Sequence, residues 1–80
     1  MKHVYLIRSI AHPDKRYIGI TDDIHKRIKQ HNNGGSKHTI KYKPWELVTY
    51  VAFKDSGQAH AFEKYLKSGS GRAFANKRFW

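Results

Sequence analysis

The first run of apolar residues is His3-Val4-Tyr5-Leu6-Ile7-Arg8, β-branched and aromatic, and it predicts a strand over 3–8. His12-Pro13-Asp14-Lys15 supplies turn chemistry, and Arg16-Tyr17-Ile18-Gly19-Ile20 returns as a second strand, so 3–20 reads as a hairpin with a long loop. Gly19 inside so short a strand marks a bulge or a close backbone approach. The period then changes. Thr21 is positioned to cap a helix, Asp22 and Asp23 place negative charge in its first turn, and Ile24 and Ile28 form its apolar stripe. Asn32-Asn33-Gly34-Gly35 stops that helix, with a glycine free to take the left-handed conformation. A basic loop without periodicity, Ser36 to Pro44, leads to Trp45–Phe53, a strand apolar on both faces and so expected to be well covered. Asp55 or Ser56 caps a second helix to about Lys67, with Ala59, Phe62 and Leu66 facing inward. Ser68-Gly69-Ser70-Gly71 breaks it, and Arg72–Trp80 forms a short third helix or a docked tail. The expected fold is α+β in two layers, ordered β-β-α-β-α with a terminal α.

Two charged groups sit where this pattern expects none. At about 100° per residue from Ile24, Ile28 falls near 40°, Arg27 near 300° and His31 near 340°. Arg27 and His31 thus share an edge of the apolar stripe, whereas Lys26 points away from it. On the second helix Glu63 lies about 40° from Ala59, among the apolar residues, where a carboxylate is expensive unless paired or bound to metal. One reading pairs it with Lys67 at i, i+4. The other makes it a ligand for a hard cation, since one carboxylate with waters and substrate phosphate often holds Mg²⁺. Tyr5 and Tyr17 fall on paired strands, as core aromatics or as phenols whose ionised form Arg27 would favour.

Composition sharpens the choice of partner. Sixteen Lys/Arg against six Asp/Glu give a net charge of +10 in 80 residues, which points to nucleic acid or another anionic partner. Within the basic loop, Lys37, His38, Lys41 and Lys43 are suited to follow a phosphate backbone while Tyr42 or Trp45 stacks on a base. Arg72, Lys77 and Arg78 are placed to serve likewise, with Phe74, Phe79 and Trp80 docking the tail. There is no cysteine, which removes disulfides and zinc-thiolate sites and fits a cytoplasmic protein. No apolar run approaches the ~20 residues of a membrane span, and His3–Ile7 is too short for a signal segment. The absence of an internal repeat predicts one domain over 1–80.

His3-Val4-Tyr5, Tyr17-Ile18-Gly19, Arg27 and His31 on the following helix, and Glu63 on a later one together resemble the GIY-YIG nuclease family, in order and over essentially the whole chain. Its second motif is intact; His3 stands where the first has glycine, a position that supplies backbone. Glu63-Lys64-Tyr65-Leu66-Lys67 and the residues to Phe74 resemble the small stand-alone members. The resemblance implies a three-stranded antiparallel sheet flanked by helices and hydrolysis of phosphodiesters with one divalent metal, Mg²⁺ or Mn²⁺, held by Glu63. It implies that Tyr17, with Tyr5 beside it, orients or deprotonates the attacking water, that Arg27 stabilises charge on the phosphate, and that His31 orients the water or assists proton transfer. A lysine that some relatives carry after the second motif is replaced here by Ile20-Thr21, leaving Lys37 or Lys41 to compensate. Asn76 is the candidate for a late asparagine near the metal. The expected activity is a metal-dependent endonuclease on DNA, single-stranded or branched, with low sequence specificity. The alternatives are a nucleic-acid-binding module of the same fold without turnover, or a structural component of an RNA–protein particle.

Overall fold

The computed structural model describes residues 1–80. The chain runs β1 (Lys2–Ser9), β2 (Arg16–Thr21), α1 (Ile24–Asn32), a single 3-10 turn (Ile40–Tyr42), β3 (Trp45–Phe53), α2 (Ser56–Leu66) and α3 (Gly69–Arg78). β1 is the middle strand of an antiparallel sheet ordered β2-β1-β3. The hairpin register is regular and sets Tyr5 opposite Gly19 and Ile7 opposite Tyr17. A bulge in the β1–β3 pairing falls between Leu6 and Ile7.

Because successive strand residues face opposite sides, β1 feeds two separate cores. Val4 and Leu6 pack with Ala59 and Leu66 of α2 and Ala75 of α3. Tyr5 and Ile7 pack on the other side with Ile24 of α1 and Trp45, joined by Tyr17, Ile28 and Tyr42. The α+β class and the element order are as expected, but helices cover both faces of the sheet, making three layers where two were predicted. With only three strands, the central strand β1 is the most buried, and each face needs its own cover.

That arrangement explains the other departures. β3 is an edge strand: Trp45 is buried, while Leu47 and Tyr50 are 38% and 49% exposed, so the expected burial of both its faces does not hold. The α1 cap is Asp23, in extended conformation, whose carboxylate accepts from Lys26 N at 3.1 Å. Thr21 instead ends β2 and its hydroxyl accepts from Asp23 N, and Asp22 pairs with Lys2 at 3.0 Å. The first turn of α1 therefore holds no acid. Asp55 caps α2 as predicted, accepting from Gly57 N. Ser68 caps α3, accepting from Gly71 N at 3.2 Å, so the glycine-rich break is shorter than expected and α3 begins within it. Gly34 takes the left-handed conformation after α1, with φ 79°.

The loop between α1 and β3 is closed at its base. Asn32 Nδ2 donates to the Trp45 carbonyl, and Trp45 N donates to Asn32 Oδ1, so one side chain pairs with the start of β3 as a strand would. No helix is long and apolar enough to cross a membrane.

Candidate active site

Tyr5 is 1% and His31 0% exposed, and they meet beneath the surface. The Tyr5 hydroxyl lies 2.8 Å from His31 Nε2, and Arg27 Nε donates to the same hydroxyl at 3.2 Å. His31 Nδ1 lies 2.6 Å from Thr39 Oγ1, and the Trp45 indole N–H donates to the Thr39 carbonyl. Arg27 can only donate, and a neutral imidazole offers one donor and one acceptor. The assignment that satisfies the chain has Tyr5 O–H donating to Nε2 and Nδ1–H donating to Thr39.

Gly19 makes this packing possible. A Cβ there would fall on the hydroxyl end of the Tyr5 ring, so the phenol crosses β2 only because its partner residue lacks a side chain. The glycine marks a close approach, with no bulge in the hairpin. His3 needs no such freedom: it pairs regularly with Thr21 and Ala52, and its ring packs edge-on against Tyr50 at 5.6 Å.

The electrostatics correct one expectation. Burial pushes the Tyr5 phenol above its ordinary value, outweighing the Arg27 hydrogen bond and charge that pull it down. Burial, reinforced by the Arg27 charge, lowers the His31 imidazole to about 4. At neutral pH both are uncharged, so Tyr5 is no base and the single His31 proton stays on Nδ1 in its bond to Thr39. Both lie beneath the surface; His31 holds the Tyr5 hydroxyl, which in turn holds Arg27. An unfolded histidine titrates near 6.5, so between that pH and about 4 protons favour the unfolded chain. Stability is therefore full above pH 6.5 and falls towards pH 4, by an amount on the order of 3 kcal/mol. Urea unfolding across this range should show the loss in the wild type and a flatter profile in His31→Gln; equal slopes would remove His31 as the cause.

Tyr17, Arg27 and Glu63 form the accessible part. Tyr17 is half-buried, edge-on to His31 at 5.3 Å between centroids, and its hydroxyl takes no protein partner. Glu63 comes from α2, on the opposite side of the sheet, and reaches this region around the β2 edge. Its Oε2 accepts from Lys67 Nζ at 2.7 Å, the i, i+4 pair foreseen as one of two readings. The same ammonium lies 6.0 Å from the Tyr17 ring centre. Tyr17, Lys67 and Glu63 are thus brought together at the β2 edge of the sheet. Lys67, C-terminal neighbour of α2, places a cation beside Tyr17 and Glu63.

As a metal ligand, Glu63 stands alone: no three His, Cys, Asp or Glu side chains cluster anywhere. That donor set excludes an all-protein cage. It fits a hydrated ion held by one carboxylate, waters and substrate phosphate, provided the exposed Lys67 moves aside, at a cost of a few tenths of a kcal/mol.

Lys37, His38, Lys41 and Lys43 are exposed on the α1–β3 loop as predicted. Tyr42 lies between ammonium groups, Lys15 at 5.3 Å and Lys41 at 5.6 Å. Trp45 is 4% exposed and hydrogen-bonded inward, which withdraws it as a stacking platform. Phe79 and Trp80 pack against the core, as expected of the tail, whereas Phe74 is exposed and meets only the rings of Tyr65 and Phe79. Arg72 lines a cleft of ≈ 620 Å³ that also includes Tyr17, Lys67 and Asn76. Asn76 accepts from Arg16 Nη1 at 2.7 Å. All six acids are engaged, four in ion pairs and Asp23 and Asp55 as caps, which leaves twelve of sixteen Lys/Arg without an acidic partner. Thr39 escaped the sequence reading because its loop has no period.

Comparison with known proteins agrees with this geometry. The family model for the GIY-YIG catalytic domain matches residues 1–78. The structure-specific endonuclease subunit SLX1 of Debaryomyces hansenii is 39% identical over 71 residues, covering 80% of this chain but 20% of its own. UPF0213 protein CPE1444 of Clostridium perfringens is 37% identical over 68 residues, 84% of this chain and 71% of its own. The solution structure of UPF0213 protein BH0048 from Bacillus halodurans superposes with a TM-score of 0.56 at 30% identity, over 96% of this chain and 84% of that one. The chain therefore spans about a fifth of the SLX1 relative and most of the UPF0213 proteins, and it belongs to the GIY-YIG nuclease family.

Proposed function

We propose that this protein is a divalent-metal-dependent endonuclease that hydrolyses phosphodiester bonds in DNA, single-stranded or branched, with low sequence specificity. The observation that carries the proposal is the buried Tyr5–His31–Thr39 chain, which fixes the Arg27 guanidinium at the edge of the sheet. A side chain aimed this way by two neutral buried groups is preorganised, and preorganised donors are worth most where charge develops. The SLX1 relatives are named structure-specific endonuclease subunits, which supports a nucleic-acid substrate.

In this reading Arg27 donates to a non-bridging oxygen of the scissile phosphate and offsets the charge that grows there. Tyr17, with its free hydroxyl, holds the water that attacks phosphorus in line with the leaving oxygen. Tyr5 and His31 are positioning residues behind Arg27. Glu63 would hold Mg²⁺ or Mn²⁺, whose chemistry is to neutralise phosphate charge and acidify bound water. Lys67, freed from Glu63, is then available to a neighbouring phosphate.

A second reading, a binding module without turnover, is favoured by one observation: Lys67 already neutralises Glu63. Incubating the protein with labelled single-stranded, branched and duplex DNA in Mg²⁺, Mn²⁺ or EDTA separates the two. Cutting that needs the metal and is strongest on unpaired or branched DNA is expected. Tight binding with no cutting in either metal would establish the binding module instead.

A further inference from the structure

Next to the catalytic residues, on the far side of Tyr17, lies the ≈ 620 Å³ cleft whose walls include Arg16, Tyr17, Lys67, Arg72, Asn76 and Trp80. Its basic groups are arranged as a binding site is. Arg16 Cζ lies over the Trp80 indole, 4.9 Å from the ring centre, and its Nη1 donates to Asn76 at 2.7 Å. Holding a long, exposed arginine in one conformation costs side-chain entropy, and here no carboxylate repays it. The single acid of the cleft, Asp14, pairs with Lys15 at 3.7 Å. Arg16 and Arg72 therefore face the cleft with their charges uncompensated, and Arg16 keeps most of its five N–H donors free for a planar anion.

We infer that this cleft binds the DNA strand flanking the scissile phosphate: phosphates on Arg16 and Arg72, and one unpaired base on the open face of the Arg16 guanidinium. The inference rests on the nuclease reading for what happens at Tyr17, and deepens it by giving the substrate a path. Tyr17 and Lys67 belong to both the cleft and the catalytic group, so a strand in one continues directly into the other. A space of this size suits a single nucleotide and its backbone, and guanidinium planes and aromatics are the platforms on which unstacked bases rest. Lys15 extends the path: the residue lines the cleft, and its ammonium lies over Tyr42 of the basic loop. Arg72 was already a candidate phosphate contact from the sequence, but its meeting with Arg16 was hidden, because Arg16 and Asn76 are 60 positions apart.

The test is binding of a labelled oligothymidylate, by fluorescence anisotropy over a series of salt concentrations in EDTA, where nothing is cut. Arg72→Ala and Arg16→Gln should each bind ~10-fold more weakly, and the slope of log K against log salt should become shallower by ~0.7 per lost phosphate contact. Lys54→Ala, an exposed cation away from both cleft and catalytic group, is the control for bulk charge. Thermal unfolding confirms that the variants are folded; Arg72 is exposed on α3, so its variant carries the test if Arg16→Gln is unstable. With Mg²⁺, the same variants should raise KM with little change in kcat. Affinities and slopes equal to those of Lys54→Ala would overturn the cleft while leaving the nuclease reading intact. Weakened binding by a wild type that never cuts would sink the nuclease reading and keep the cleft.

Discussion

Glu63→Gln is expected to slow DNA cleavage by ~10³-fold or more at saturating Mg²⁺, with DNA binding undiminished. The substitution keeps shape and removes only the carboxylate charge, so the loss is assigned to chemistry and not to packing. On the folding side it gives up one i, i+4 ion pair, worth a few tenths of a kcal/mol. On the binding side it raises the net charge from +10 to +11 and frees Lys67, both of which favour a polyanion. A loss of kcat at unchanged or tighter affinity is therefore the signature. Cleavage by the variant at the wild-type rate would remove Glu63 from the reaction and return it to the role of Lys67's partner.

Gly19→Ala should damage stability and activity together. Its methyl would enter the space of the Tyr5 hydroxyl, which His31 at 2.8 Å and Arg27 at 3.2 Å hold in place. Overpacking of this kind costs about 1–3 kcal/mol. It also turns the phenol away from Arg27, and a misplacement of about 1 Å in a catalytic group can cost ~10²-fold in rate. The cause can be isolated, because the steric conflict centres on the hydroxyl. Tyr5→Phe in the Gly19→Ala background should restore part of the lost stability, whereas in the wild type it should only destabilise. Additive effects of the two substitutions would contradict the proposed contact.

How far the residues alone carried the fold depended on locality. Strands, helices and the Asp55 cap follow from neighbours in the chain, and they were legible. Layering was not, since which side of the sheet a helix covers depends on the connection between elements. Trp45–Phe53 was misread for that reason: its apolar residues suit burial, but an edge strand in a sheet of three has too little cover. For the site, the unusual angular positions of Arg27, His31 and Glu63 pointed to one constellation. What they did not disclose was depth. Tyr5 and His31 turned out to lie under the surface, where burial and not the neighbouring cation sets their protonation. Thr39, Arg16 and Asn76 act across the chain from irregular or distant positions, with no period to announce them.

Asn32's double hydrogen bond to Trp45 has a meaning for how such proteins diversify. By pinning the two ends of the loop over residues 33–44 together, it separates the scaffold from whatever lies between. Thr39 must stay to hold His31, but the exposed stretch at Lys37-His38 is tied to nothing else. Doubling a loop's length costs only ~0.6 kcal/mol in closure entropy. Residues inserted there would change what the surface presents without disturbing the Thr39–His31 bond, which makes this loop the natural place to graft a new specificity.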